Sequence, residues 1–344
     1  MRFRLTRPLT VLLLLGLIGL AAWTRAGAGP DLPHGVARLG SEALCAAAGG
    51  LPPGWGSDPH AGMVRVPDGD FTFGSTRGYP DERPAEDRRV AVRGFWIDQT
   101  EVTNAQFAAF VRATGYVTEA EREGAAVVFR TPNEEELGRR PYAWWHYVRG
   151  ASWKTRDGDG AAPAAPPPNQ PVTMVTQADA LAYARWLGRD LPTEAEWEYA
   201  GKAGRDDDAL DTAPVDAAGH PTANYWQGPF PLMDAAQDGH AGLAPVGCYA
   251  ANPFGLYDMI GNAWEWTKDS YGGPRQAHMN GDTAAVAAAA VPGGPDQPMV
   301  IKGGSFLCSP DYCVRYRASA RESQEADLGA SHIGFRTVLR AAAG

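Results

Sequence analysis

Cysteine is scarce in this chain, with four in 344 residues. A basic excess is missing as well. The formal net charge of −9 argues against nucleic acid as a partner, because a polyanion needs a basic face. The seven histidines are scattered, so the helical spacing wanted by a three-histidine iron site is absent. The apolar run from Leu9 to Trp23 falls short of the ~20 residues of a comfortable membrane span. What is present suffices for a globular chain of one large or two ordinary domains, at 44% hydrophobic and 21% charged residues. Eleven tryptophans and twelve tyrosines point to aromatic packing or a binding surface. Forty-one glycines and 28 prolines promise a loop-rich body with short regular elements.

Residues 1–28 read as an export signal. Arg2, Arg4 and Arg7 precede the apolar run, and Ala26-Gly27-Ala28 resembles a small-residue cleavage site. Cleaved or kept as an anchor, the segment implies an exported body, periplasmic or secreted, with the positive end left inside. Residues 29–60 are rich in Gly, Pro and Ala and read as a flexible tether with Cys45 inside it. The folded domain is expected over residues 61–342. Met63 to Val66 and Phe71 to Phe73 flank Pro67-Asp68-Gly69-Asp70, a strand–turn–strand signal. Val90 to Asp98 reads as one further strand. Thr103 and Gln106 form a capping box for a helix with Phe107, Phe110 and Val111 on one face and Gly115 as its stop. Thr176 caps a second helix through Leu187, closed by Gly188, and Thr193 with Glu196 opens a short third one. Tyr142 to Tyr147 is an aromatic cluster before a loop. Asp157-Gly158-Asp159-Gly160 lacks the rest of a calcium loop and reads as a plain turn. Beyond Gly204 the chain reads as turns to its end, with a low-complexity surface insertion from Ala284 to Pro298.

Two of the four cysteines, Cys308 and Cys313, lie together in Gly303 to Arg317. Spacing alone leaves two readings open: a short structural bridge, or a paired-thiolate site of the kind a soft metal such as Cu(I) prefers. Arg315, Arg317 and Arg321 follow closely, and nearby positive charge keeps a thiol nucleophilic or ready for metal. Cys45 and Cys248 are left over, and two spare thiols in an exported protein are expected to pair. Asn224-Tyr225, Asp238-Gly239-His240 and the run Asp258 to Glu265 combine hard oxygens with turning backbone, as calcium sites do. The residues alone are equally served by turn capping and pairing with arginines.

The chain resembles the formylglycine-generating enzymes, the sulfatase-modifying factor family, over about Met63 to Leu339. The resemblance rests on Phe95-Trp96-Ile97-Asp98 with Glu101-Val102-Thr103-Asn104, Gly115 to Glu121, Leu191 to Tyr199, Gly261 to Trp266, and Gly303 to Arg317 with Gly334-Phe335-Arg336. The segments around Thr193 and Trp264 mark only the wider superfamily. The cysteine pair in its Gly-Gly-Ser-x-x-Cys frame marks the catalytic members. The resemblance implies a compact, irregular α+β fold, similar to C-type lectins and low in regular secondary structure, acting as a monomer. It implies one calcium ion on Asn224, Tyr225, Asp238 and His240, and a second on Asp258, Gly261, Ala263 and Glu265. Asp258 stands where an Asn is familiar, and keeps a hard oxygen.

The same resemblance implies Cu(I) on Cys308 and Cys313, in a pocket lined by Ser305, Tyr312 and Trp264. The implied substrate is a cysteine in a Cys-x-Pro-x-Arg segment of an unfolded sulfatase, converted with O2 to formylglycine by way of a thioaldehyde. Redox-active copper supplies one-electron and O2 chemistry that side chains lack. Departures from the family pattern are local. The extra disulfide positions of animal members are held by Ala184, Gly201, Ala318 and Thr337, and Met174 and Gln177 replace a usual His and Trp. The segment from Asp206 to Pro221 lacks the Pro-Trp-Gly usually found there. A superfamily alternative, an iron-dependent sulfoxide synthase, is disfavoured by the scattered histidines.

Overall fold

A computed structural model describes residues 39–84, 89–159, 165–207, 212–272 and 297–341. The expected export signal over 1–28 and residues 284–296 of the expected insertion lie outside these residues. The helices are α1 (Glu42–Ala47), α2 (Asn104–Thr114), α3 (Glu119–Glu123), α4 (Glu134–Arg139), α5 (Gln177–Trp186) and α6 (Glu194–Lys202). The strands begin with β1 (Met63–Val66), β2 (Gly69–Thr72), β3 (Arg89–Val92), β4 (Phe95–Asp98), β5 (Ala125–Phe129) and β6 (Trp145–Arg149). They end with β7 (Trp264–Ser270), β8 (Pro298–Lys302), β9 (Arg321–Glu325), β10 (Ile333–Gly334) and β11 (Val338–Arg340). Among the described residues no helix is long and apolar enough to cross a membrane.

Helix starts follow the caps. Thr103 Oγ1 accepts the Gln106 N–H at 3.2 Å and Gln106 Oε1 accepts the Thr103 N–H at 2.8 Å, which satisfies two of the donors a helix start leaves orphaned. Gly115 closes α2 in the left-handed region at φ 69°. The same reciprocal box opens α5 at Thr176 and α6 at Thr193. It also opens α3 at Thr118 with Glu121 and α4 at Asn133 with Glu136, two short helices without an apolar stripe to announce them.

The strands form four small sheets. One has the order β1-β4-β11, another β10-β7-β8-β9, and β2-β3 and β5-β6 are two-stranded. Three expectations need correction. The single strand over Val90 to Asp98 is two strands in different sheets, β3 and β4, interrupted at Arg93-Gly94. The Arg65 guanidinium fills that gap, donating to the carbonyls of Val66 and Phe95, and a Cβ at Gly94 would lie 2.3 Å from it. The region beyond Gly204 is not all turns, because β7, β8 and β9 make most of a four-stranded sheet. Residues 264–267 of β7 are buried on both faces, so the alternation that betrays a half-exposed strand is absent. Finally, the described part of the expected tether is folded onto the body. Cys45 is fully buried and bridged to Cys248, 203 residues away. Gly40 N–H donates to the Gly247 carbonyl at 2.7 Å, and Asn169 Nδ2 donates to the Cys45 carbonyl at 2.8 Å.

The main core gathers Phe107, Tyr183, Trp266, Ile333 and Phe335, and a second cluster forms around Phe95, Ile97 and Trp197. At two positions of the missing animal bridges the backbones still meet: a Cβ at Gly201 would lie 3.2 Å from that of Ala318. The segments are joined at one fully buried ion pair. Arg336 Nε and Nη2 donate to the two oxygens of Glu265 at 2.7 Å each. The same guanidinium donates to the carbonyls of Asp98, Gln99 and Tyr257, and Trp197 Nε1 donates to Glu265 Oε2 at 2.7 Å.

Two stability outcomes follow. Cys45→Ala with Cys248→Ala should lower the unfolding free energy by about 2–5 kcal/mol in urea titration, because the bridge closes a long loop in the unfolded chain. Glu265→Gln, which leaves Arg336 buried without its counter-charge, should lower it by about 3–5 kcal/mol. A Glu265→Gln protein of unchanged stability would show that the fold does not depend on this pair.

Candidate metal and thiol site

The loop that carries the two thiols is shaped by its glycines. Gly303 and Gly304 adopt φ 94° and 81°. A Cβ at Gly304 would come within 2.6 Å of the Arg315 carbonyl, so the start of the loop can lie against its end only without a side chain. Ser305 follows, fully buried. Cys308 N–H donates to the Ser305 carbonyl at 2.9 Å, Ser305 N–H reaches back to Cys308 Sγ at 3.4 Å, and Leu307 N–H donates to Ser305 Oγ at 3.3 Å. Ser309 and Cys313 then exchange backbone bonds at 3.1 and 3.2 Å. That turn brings the Cys308 and Cys313 sulfurs to 3.9 Å, well beyond the ~2.05 Å of a disulfide. Both thiols are free.

The pair is electrostatically unequal. Burial works against a Cys308 thiolate, but the bonds from Cys313, Ser305 and Arg315 together hold its pKa below the ordinary thiol range. Cys313 moves the opposite way, raised first by its hydrogen bond to Cys308 and then by burial.

The structure brings together Ser305, Cys308, Tyr312 and Cys313 of the expected pocket. Trp264, at the start of β7, lies in the same buried cluster as Cys308, and its N–H donates to the His332 carbonyl at 2.9 Å. Tyr312 belongs to a wall of rings beside the thiol loop whose other members, Phe230, Trp144 and Trp226, had no assigned role in the sequence reading. Tyr312, 46% exposed, stacks on Phe230 with centroids 4.4 Å apart, and Trp144 packs edge-on against both. Partial burial pushes the Tyr312 phenol up to about 12, which keeps it a neutral donor. Trp226 packs on Phe230, and its backbone N–H donates to the Cys308 carbonyl at 2.9 Å. Farther along, the His332 ring lies 4.6 Å from Trp145, and burial lowers its pKa to about 3. Only the run from Tyr142 to Tyr147 hinted at this wall, because its other members come from separate turns.

The oxygen-rich loops interlock behind the thiol loop. Asp258, Gly261 and Asn262 adopt φ 53°, 75° and 52°, and a Cβ at Gly261 would lie 2.2 Å from the Asn224 carbonyl. Asn262 N–H donates to that carbonyl at 2.8 Å, Gly261 N–H to Gly303 at 3.0 Å, and Phe306 N–H to Asn262 at 2.9 Å. The Asn224 side chain donates to Gly242 and Asn262, while its buried Oδ1 has no partner. Asp238 accepts the N–H of Tyr225 at 3.0 Å and that of His240 at 3.0 Å, which brings three of the four residues of the first expected oxygen set together. An orphaned buried acceptor is what a hard cation relieves.

The second set fits less simply. Asp258 Oδ1 is buried and unpartnered, and Oδ2 accepts the Gly247 N–H at 2.6 Å. Both Glu265 oxygens are already engaged by Arg336 and Trp197. Glu101, which sequence reading used only as part of a motif, fits better. It is fully buried with Oε2 unpartnered, and burial followed by the Asp258 charge raises its pKa well above the usual carboxylate range. Burial likewise raises Asp258, to about 6. Two buried carboxyls that oppose each other's ionisation form a site a divalent cation would stabilise.

Comparison with known proteins identifies the family. Residues 52–341 match the family described as Sulfatase-modifying factor enzyme 1-like domain. The formylglycine-generating enzyme of Mycobacterium tuberculosis is 43% identical over 300 residues, covering 80% of this chain and 97% of that protein. The formylglycine-generating enzyme of Bos taurus is 37% identical over 361 residues, covering 95% of this chain and 93% of its own. Among solved structures, PvdO from Pseudomonas aeruginosa shares the fold with a TM-score of 0.55 at 24% identity, over 81% of this chain and 94% of that one. With a family match across nearly all the described residues and relatives at this identity over most of their length, this chain belongs to the sulfatase-modifying factor family and has its α+β fold.

Proposed function

We propose that this protein is a formylglycine-generating oxidase, converting the cysteine of a Cys-x-Pro-x-Arg segment in unfolded sulfatases to formylglycine with O2. The observation that carries the reading is the open thiol pair, with sulfurs 3.9 Å apart beside an aromatic wall. The donor set fits Cu(I), since two thiolates are soft ligands, and Cys308 and Cys313 would hold it. Bound there, copper supplies the one-electron and O2 chemistry that side chains lack. The chain's own residues position and shield. Ser305 and Trp226 fix Cys308 through their N–H groups. Tyr312, Phe230 and Trp144 offer ring faces of the kind that receive proline in an extended peptide. The buried Trp264 and the half-buried, neutral His332 add a wall without charge.

The balance is simple. The substrate thiol loses two electrons and two protons to become a thioaldehyde, and water replaces its sulfur to give the aldehyde and hydrogen sulfide. Dioxygen accepts those two electrons and two more from a pair of external thiols, which join as a disulfide, and the four protons released leave with it as two molecules of water. Calcium is proposed as a structural cation in two places, one with Asn224 and Asp238, the other with Asp258 and Glu101. The likeness to enzymes named for this activity, Cys308 and Cys313 within their frame, and the basic-then-apolar N-terminal segment support an exported, monomeric modifier acting before its sulfatase folds.

Copper-loaded protein should convert a Cys-x-Pro-x-Arg peptide to an aldehyde with loss of sulfur, read by mass spectrometry and hydrazide capture. Cys308→Ser and Cys313→Ser should each abolish it; no aldehyde from the loaded protein, or full activity in Cys308→Ser, refutes the reading. Calcium at about a hundred times its dissociation constant should stabilise the fold by about 2.7 kcal/mol per site, read as a rise in Tm over EDTA-treated protein. Asn224→Leu and Glu101→Gln should each remove part of that rise. A Tm indifferent to calcium removes both ions from the account.

A further inference from the structure

Cys313 heads a limb, residues 313–317, that belongs to no described helix or strand. Near neighbours hold it at Ser309, at the Arg321 carbonyl and at Glu322, which pairs with Arg315 Nε at 3.2 Å, and a segment far away in the chain holds its other side. Val314 N–H donates to the Tyr79 hydroxyl at 3.3 Å. Arg315 Nη1 donates to Glu82 Oε1 and to Asp81 Oδ2, each at 3.0 Å, and Arg317 Nη2 donates to Glu82 Oε2. Both guanidinium groups lie over the Tyr79 ring, at 4.6 and 5.6 Å from its centre. Glu82 is fully buried at 0% exposure, and the Tyr79 N–H donates to its Oε2 at 3.1 Å. One buried carboxylate thus receives charge-assisted bonds from the residues on either side of Tyr316. Such bonds are short, strong and directional in a dry setting.

Cys308 hangs on a different frame, through the Ser305 N–H on its sulfur and the Trp226 N–H on its carbonyl. The Ser309–Cys313 backbone pair links the two supports, and outside that link each sulfur is held from its own side, Cys308 by Ser305 and Trp226 and Cys313 by the limb that meets Tyr79 and Glu82. To join in a disulfide they would have to approach by about 1.9 Å. The four-residue turn between them spans a short distance and carries no large side chain that keeps them apart except the half-exposed Tyr312.

We propose that Glu82 is a positioning residue: by fixing Arg315 and Arg317 it keeps the Cys313 sulfur away from that of Cys308, so that the pair remains a dithiol able to take a soft cation. What the pair holds rests on the proposed function; how far apart it is held does not. The opposed reaction is defined. Two thiols form an Sγ–Sγ bond, release two protons and pass two electrons to an external disulfide such as oxidised glutathione, which leaves as two thiols. The clamp raises the free energy of the closed form relative to the open one.

The test equilibrates the purified protein in glutathione buffers of graded ratio. Alkylation and peptide mass spectrometry then read the state of Cys308–Cys313, with Cys45–Cys248 as an internal reference in the same sample. Glu82→Gln keeps the shape and removes the charge. It should shift Cys308–Cys313 toward the disulfide by about tenfold, equivalent to about 30 mV, and weaken Cu(I) retention against a chromophoric chelator by a similar factor. Cys45–Cys248 should not move, whereas a general loosening of the fold would shift both pairs and overturn the inference. A folded Glu82→Gln protein with the wild-type equilibrium also overturns it. If that variant does not fold, Tyr79→Phe decides by the same readout: a shift toward the disulfide supports the clamp, and the wild-type equilibrium refutes it. Failure of the wild-type protein to form aldehyde would strike the proposed function and leave this measurement standing.

Discussion

The buried pair of Arg336 and Glu265 is the constraint on which the rest of the fold depends. A planar fork of five donors can bind a carboxylate with two parallel bonds and still reach carbonyls with the others. Here it spans the end of β4 at Asp98 and Gln99, the loop at Tyr257, strand β7 and the chain beyond β10. Through Glu265 it also takes in α6 by way of Trp197. Removing two charges from water is costly, and such pairs contribute less to net stability than their bond count suggests. What this one supplies is register. In a chain built largely of turns, with sheets of two to four strands, few backbone ladders fix one segment against another. Side-chain bonds to carbonyls take over that task. The same arrangement recurs at Arg189, which donates to Asp98 and to the carbonyls of Pro59 and Ala61.

The candidate site inherits this architecture. Asn224, the Asp258–Asn262 turn and the Gly303–Phe306 segment meet through single backbone bonds, and each meeting point uses left-handed backbone or a missing Cβ. Non-glycine residues in that region are strained by of order 1–3 kcal/mol each, and both Asp258 and Asn262 adopt it. Asp258 keeps one buried oxygen, Oδ1, unpartnered, and so does Asn224, whose carbonyl accepts the Asn262 N–H. A cation there would satisfy acceptors that the backbone geometry holds in place. The thiol loop shares the Gly303 and Asn262 bonds with this region, so the thiol pair and the oxygen-rich loops stand on common backbone.

How much was legible depended on the range of the signal. The capping boxes at Thr103, Thr176 and Thr193 are local, and each opened a helix where it was read. The pairing of Cys45 with Cys248 followed from counting. Strand β7 escaped because burial on both faces erases alternation. The break between β3 and β4 escaped because its cause, the Arg65 side chain, lies more than two dozen residues earlier in the chain. At the site, Cys308, Cys313 and Ser305 were readable because their frame is contiguous. Glu101 was not, since its role comes from facing Asp258 across the fold. Nor was Glu82, whose arginine partners are more than 230 positions away. Composition promised an aromatic surface, but only folding could gather Trp144, Phe230 and Tyr312 from three turns.

The N-terminal strap ties synthesis to site assembly. Cys45 emerges early, but its partner follows 203 residues later, so the bridge cannot close until most of the domain exists. By then the strap has two further duties. Glu42 meets the His240 ring at 3.1 Å, and Gly40 holds Gly247, whose own N–H holds Asp258. Gly40 and Glu42 thus finish both oxygen-rich loops from the outside. Loss of the chain through Gly40 would remove the bond to Gly247 and so loosen the support of a buried carboxylate, Asp258, more than 200 residues downstream.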